Sequence, residues 1–167
     1  MITQARLKEL LHYDPETGVF TRRITIRGRW KAGSQCGMLD DHGYIKIRVD
    51  GVRLRAHRLA FIYMIGSVPK EIDHINGVRG DNRWANLRDC SRSENQQNIG
   101  SARADNKCGL SGVSFNKTYG MYVAQIQINK KKIMIGKFDS PEVAHEAYLN
   151  AKLEYHTHHE RMLGGAL

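Results

Sequence analysis

The sequence predicts an α+β protein built as two small units, and three observations lead there. Its 167 residues suffice for one ordinary domain or for two small ones with separate cores. Strand-like alternation and helix-like spacing occur in both halves. Between the halves, "GSARADNKCGLSG" holds three glycines and few large apolar residues, as a linker would. The expected boundaries are a first domain over 1–100, with its core at about 40–100 behind an N-terminal α/β entry region, a linker over 101–111, and a second domain over 112–167.

Charge narrows the choice of partner. Lys and Arg number 26 against 17 Asp and Glu, a formal charge of +9, with the cations spread along the whole chain. A polyanion, and first of all nucleic acid, is the expected partner. The three cysteines, Cys36, Cys90 and Cys108, lie far apart and form no C-x-x-C pair, which argues against a disulfide framework or a cysteine zinc knuckle and for a reducing compartment. No stretch approaches the ~18 apolar residues of a membrane span, and the N-terminus lacks a secretory apolar core. The expectation is a soluble, cytoplasmic protein without a membrane partner.

The elements follow in order. "ITQARLKELL" puts Leu7, Leu10 and Leu11 on one face of a short helix that ends before the turn residues of "YDPETG". "GVFTRR" reads as a strand, and residues 27–43 as irregular. In "GYIKIRVDGVRLRAH", Ile45, Ile47 and Val49 alternate with Lys46 and Arg48; after Asp50-Gly51, Val52, Leu54 and Ala56 alternate with Arg53 and Arg55. This is a hairpin with one apolar face and one cationic face, the latter suited to phosphates. "HRLAFIYMIG" reads as a buried helix closed by Gly66. His57, at its head, reads as a packed or capping residue.

The next stretch, "EIDHINGVRGDNRWANLRDCSRSENQQN", carries the chemistry. Ile72 enters a brief strand that delivers Asp73 and His74, and Asn76-Gly77 suits a type I′ turn. A second extended segment runs through "WANLRDC". "SRSE" is a capping box that starts a helix, with Asn95 in its first turns and Asn98 one turn further on the same face. Calcium-loop spacing fails here because Ile75 and Gly77 stand where oxygen ligands are needed, and zinc lacks thiolates and a second nearby histidine. A hard, oxygen-only site remains: the Asp73 carboxylate, the Asn95 amide oxygen and substrate oxygens. Those donors suit Mg²⁺, or Mn²⁺. His74 is the natural general base near neutral pH, provided the strand twists so that it and Asp73 serve one site. Asn86 would brace the loop that holds His74. Trp84 and Arg88 read as supports, Cys90 as a small buried apolar residue, and Asn82 has no evident task.

"DHINGVRGDNRWANLR" followed by "SENQQN" resembles the HNH endonuclease signature, in the form found in phage and intron-encoded homing endonucleases, and "AHRLAF" resembles the segment that precedes it there. The resemblance implies a ββα-metal (His-Me finger) core in which Asp73 and Asn95 hold one divalent ion, His74 activates water and Asn86 is the middle structural asparagine. It implies hydrolysis of phosphodiester bonds in double-stranded DNA, one strand per site, in a phage-infected bacterial cell.

In the second domain the reading is strand 112–116, strand 121–128, a tight turn near Asn129-Lys130 and strand 131–138, then a helix opened by Ser140-Pro141-Glu142. Ala144, Ala147, Tyr148, Ala151 and Tyr155 form the helix's apolar stripe. Alternation turns Tyr122, Ala124, Ile126, Ile128, Ile133 and Ile135 toward the helix and leaves Val123, Gln125, Gln127, Lys132 and Met134 on the open face. The order "GVSF...YVAQI...KKIMIGKFDSPEVAHEAY" resembles the AP2 DNA-binding domain, whose three-stranded sheet lies in the major groove. DNA-contacting candidates are therefore Arg53, Arg55, Lys117, Gln125, Gln127, Lys130 and Lys132. The competing readings are a non-catalytic DNA-binding regulator on the same scaffold and a nuclease acting on RNA.

Overall fold

The computed structural model describes residues 2–25, 28, 30–98, 102, 106–128 and 131–156. The chain divides into two compact units, Met1–Asn95 and Gln96–Leu167.

The first unit begins with α1 (Gln4–Leu10), capped by Thr3, whose hydroxyl accepts from the Arg6 amide at 3.2 Å. Strands β1 (Leu11–Tyr13), β2 (Phe20–Arg22) and β3 (Gln35–Cys36) form an antiparallel sheet in sequence order. Strands β4 (Met38–Leu39), β5 (Ile45–Val49) and β6 (Val52–Arg55) form another. Two short strands therefore occur in the segment expected to be irregular, each only long enough to pair with a neighbour.

The β5–β6 hairpin has the expected faces. Lys46 opposes Arg55 and Arg48 opposes Arg53, while Ile47 opposes Leu54 on the core side. Both turn residues take positive φ, 44° at Asp50 and 85° at Gly51, the conformation a type I′ turn demands. Helix α2 (Ala56–Ile65) follows directly and stops at Gly66 in the left-handed region, φ 78°. Its Leu59, Ala60, Phe61 and Ile62 join Leu7, Leu10, Leu11, Tyr13, Phe20 and Ile47 in one core. Strands β7 (Glu71–His74) and β8 (Leu87–Cys90) pair antiparallel, and α3 (Arg92–Gln97) follows.

The link between β7 and β8 departs from expectation. Asn76-Gly77 is not a type I′ pair, because of the two only Gly77 has positive φ (77°) and the turn bond runs from the Gly77 amide to the His74 carbonyl at 2.8 Å. A long loop follows and ends in a 3-10 turn, Trp84–Asn86, so the second strand starts at Leu87 and not at Trp84. Helix α3 likewise stops one residue short of Asn98, which is nevertheless buried.

In the second unit β9 (Val113–Asn116), β10 (Met121–Ile128) and β11 (Lys131–Phe138) form an antiparallel sheet in the order β11-β10-β9, covered by α4 (Pro141–Tyr155). The Ser140 hydroxyl caps α4 by accepting from the Val143 amide at 3.2 Å, with Pro141 in the first turn. Ala144 and Ala151 are buried under α4, but Tyr155 is 53% exposed and drops out of the expected stripe. Residues 106–111, expected to be linker, belong to this unit: the Asn106 side chain donates to the Leu110 and Val113 carbonyls, and Cys108 and Leu110 pack on its core. Gly112 explains the close fit, since with φ 75° a Cβ there would stand 2.1 Å from the Tyr148 ring.

Candidate functional site

The site is built on β7, the loop after it and the head of α2. Asp73 and His74 are 2% and 4% exposed, a burial that charged and titratable groups tolerate only with partners. Asp73 faces Arg88 across the ladder, and the guanidinium holds carboxylate Oδ2 at 2.8 and 3.2 Å. A carboxylate held in this way keeps its orientation. Arg88, expected to be only a support, is thus the direct partner of the candidate metal ligand.

His74 packs against rings. His57 stands edge-on at 5.0 Å between centroids, and Tyr44 lies 6.0 Å from His74 and 5.4 Å from His57. His57 is packed, as expected; what the sequence did not show is that it packs on His74. Burial, with His74, Arg55 and Arg58 adding repulsion, pushes the His57 imidazole down to about 3, so it is neutral at ordinary pH. A neutral ring restricts His74 without placing a second charge beside it.

Asn86 closes the loop. Its side-chain oxygen accepts from the Asn76 amide at 2.9 Å and its NH₂ donates to the Asp81 carbonyl at 2.8 Å, while its own carbonyl accepts from the Ile75 amide at 2.9 Å. The residues just after His74 are therefore tied back to the start of β8. Asn76 continues the network through Asp81 at 2.7 Å, and Asp81 pairs with Arg83 at 2.7 Å.

Asn82, without a task in the sequence, is 2% exposed and joins this loop to the N-terminal region. Its carbonyl accepts from the Tyr13 hydroxyl at 2.7 Å, and the Trp84 amide donates to the Pro15 carbonyl at 2.9 Å. Gly18 makes that approach possible: at φ 70°, a Cβ would lie 2.4 Å from the backbone of Asn82 and Arg83. Tyr13, Pro15 and Gly18, in the region whose role the sequence left open, thus form the wall against which the loop is pressed. No local pattern signals this, because the partners are separated by as many as 69 positions.

Asn95 lies half-buried in the first turns of α3, which starts with the expected capping box: the Glu94 carboxylate accepts from the Ser91 amide at 2.7 Å, and the Ser91 hydroxyl accepts from the Glu94 amide at 3.2 Å. Cys90 connects the strand to this helix. Burial first, then the charge of Asp73 and to a lesser degree that of Glu94, push its thiol up to about 11, so both carboxylates lie within its electrostatic reach. A divalent ion here would take the Asp73 carboxylate and the Asn95 amide oxygen, both hard donors. Water and phosphate oxygens would supply most of its shell, since no group of three or more His, Cys, Asp and Glu side chains converges among the described residues.

Arg53 and Arg55 share one face of the β5–β6 hairpin; Arg53 is exposed, whereas Arg55 is half-buried with its guanidinium 4.1 Å from the centroid of the Tyr44 ring. Gln125 opposes Met134, Gln127 opposes Lys132 and Val123 opposes Lys137, so these side chains share one face of the second sheet. Lys137, absent from the expected set, joins them with its ammonium 3.3 Å from the Tyr119 ring centroid. A register shift at Ala124/Gln125 explains this: Ala124 pairs with Gly136 and Gln125 with Met134, leaving Ile135 as an extra residue. Ile133 stays on the helix side of the sheet but is 47% exposed at its margin. Lys117 is exposed after β9, and Lys130 lies outside the described residues.

Residues 54–97, from β6 through α3, match the family model described as HNH endonuclease. The matched segment holds Asp73, His74, Asn86 and Asn95. A solved structure described as "DNA binding and cleavage by the HNH homing endonuclease I-HmuI" is similar at 18% identity and a TM-score of 0.41, covering 82% of this chain and 76% of that one. No curated protein matches the chain. Among the described residues no helix is long and apolar enough to cross a membrane.

Proposed function

We propose that the protein is a metal-dependent DNA endonuclease of the HNH homing type, with its second unit acting as an AP2-like DNA-binding module. The observation that carries this reading is the pairing of a buried, oriented carboxylate, Asp73, with an adjacent imidazole, His74, whose loop is tied down by Asn86. Catalytic groups need such fixed placement, because catalysis falls steeply when they stray from the reacting atoms. The HNH endonuclease match over the same residues supports it.

In this reading His74 accepts the proton of the attacking water, and the neutral His57 and Tyr44 rings keep its imidazole aimed. Arg88 keeps Asp73 oriented. Asp73 and Asn95 hold the divalent ion, with Mg²⁺ the expected ion and Mn²⁺ a substitute; when bound it supplies positive charge for the phosphate and the leaving 3′ oxygen. Asn86 works through His74 and is a positioning residue. The open face of the second sheet, with Gln125, Gln127 and Lys132, would rest on double-stranded DNA and raise the local concentration of the first unit's target. The fold of that unit, a three-stranded antiparallel sheet under one helix, supports this assignment.

The test is incubation of the purified chain with plasmid and phage DNA in magnesium or chelator, beside His74→Ala. Cleavage should require the metal, and the variant should lose roughly 10²–10⁴-fold in rate, the contribution typical of a positioned general base. Cutting in chelator, or a variant as fast as the parent, overturns the mechanism. Binding without any cutting would instead make the protein a DNA-binding regulator.

A further inference from the structure

Several cations of the first unit are paired with carboxylates. Arg6 is held by Asp50 and Glu9, Lys46 by Asp40, Arg83 by Asp81 and Arg88 by Asp73, so a carboxylate neutralises each of them. Arg55 and Arg79 have no such carboxylate among the described residues. Both are instead stacked on one ring: the guanidinium carbons of Arg55 and Arg79 lie 4.1 and 5.2 Å from the centroid of Tyr44. The same ring touches His57 and lies 6.0 Å from His74. Arg79 is fixed further by donating from Nη1 to the His42 carbonyl at 2.9 Å. Asp40, on the same loop as Tyr44, is engaged by Lys46 and by the amides of His42 and Tyr44, so it does not compete for either arginine.

Stacking costs a guanidinium little of its donor capacity, because the ring takes its face and leaves the N–H edge open. Two such edges, held beside an imidazole and lacking an acidic partner, suit a tetrahedral monoanion with paired oxygens. We infer that Tyr44, Arg55 and Arg79 form a phosphodiester-binding clamp that seats one backbone phosphate next to His74. This rests on the nuclease reading of the site and adds to it the group that delivers the reacting phosphate. Arg48 and Arg53 lie on the same hairpin without the aromatic seat, and they serve as internal controls: they would meet DNA as diffuse charge, without a defined partner atom.

The experiment uses the metal-free full chain and dimethyl phosphate as the probe, following the arginine Nε–H signals by ¹⁵N NMR. Arg55 and Arg79 should shift together and saturate at one affinity, while Arg48 and Arg53 drift without saturation. Tyr44→Leu should weaken that affinity several-fold, and Arg79→Lys, which keeps the charge, should lower kcat/KM on DNA by about tenfold or more because the fork is lost. The clamp is overturned if Arg55 and Arg79 move no more than Arg53, or if Tyr44→Leu binds dimethyl phosphate as tightly as the parent. Because the binding arm needs neither metal nor cleavage, it separates the two ideas. Saturating shifts in a protein whose His74→Ala variant cuts normally would support the clamp and sink His74 as the base; magnesium-dependent cutting without the shifts would sink the clamp alone.

Discussion

The two units solve the same problem, a small sheet-and-helix fold, with different resources. Among its described residues the first gathers fourteen buried apolar side chains into one core, and its Asp73, His74, Asn82 and Asn86 are less than one-tenth exposed. Among the described residues of the second, the core cluster has three buried members, Val113, Ala124 and Ala144, and the candidate DNA contacts Gln125, Gln127 and Lys132 lie on an open sheet face. On the proposed function, burial is what separates a site that must hold reacting groups still from a surface that must adapt to a long partner. It also implies unequal stability, because each fully buried large apolar side chain contributes about 1.5–3 kcal/mol.

The largest test of that contrast uses the two glycines that permit close approach. Gly18→Ala puts a methyl group 2.4 Å from the backbone of Asn82 and Arg83 at a positive φ. It should destabilise the first unit by roughly 2–4 kcal/mol and slow cleavage, while leaving the second unit's unfolding unchanged. Gly112→Ala meets the Tyr148 ring at 2.1 Å and should do the reverse. Urea unfolding followed by amide signals of each unit reads both, and a Gly18→Ala protein with both transitions unmoved would refute the wall formed by the N-terminal region.

Asn86→Ala comes next. It leaves the Asn76 amide and the Asp81 carbonyl without their buried partner, a cost of about 1–3 kcal/mol for each group left unsatisfied. Cleavage kinetics should show kcat falling with KM little changed. A rise in KM alone would mean that the brace serves binding and not the aim of His74.

His57 yields a pH test. Its folded-state pKa, about 3, lies below the 6.5 of the unfolded chain, so on acidification the unfolded state takes up the proton first. Stability contributed by keeping His57 neutral is present above pH 6.5 and is lost as pH falls toward 3, by about 1.4 kcal/mol per pH unit at most. His57→Phe should flatten that slope between pH 6.5 and 4 in thermal or urea unfolding; an unchanged slope would place the proton uptake elsewhere.

The smallest effect belongs to the second unit. Gln127→Ala, at an exposed position opposite Lys132, should weaken binding to a preferred DNA by about 1–3 kcal/mol and leave unfolding unaltered. Equal losses on every DNA sequence tested would make this face a non-specific surface.

Local patterns in the sequence decided the β5–β6 hairpin, the capping box at Ser91, the three strands and capped helix of the second unit, and the chemical candidates Asp73, His74, Asn86 and Asn95. Each depends on spacing within a few residues, where backbone geometry limits the outcome to a few forms. The turn at Asn76 was misread for the same reason: the dipeptide permits a type I′ turn, but its neighbours are drawn into a long loop by bonds to Asn86 ten positions away. The Asp73–Arg88 ion pair, the His57 and Tyr44 rings around His74, the burial of Asn82 under Tyr13, and the two arginines on Tyr44 were settled only by tertiary structure. Those contacts join residues 11 to 69 positions apart, and no local rule specifies which of many equivalent side chains will meet once the apolar faces close.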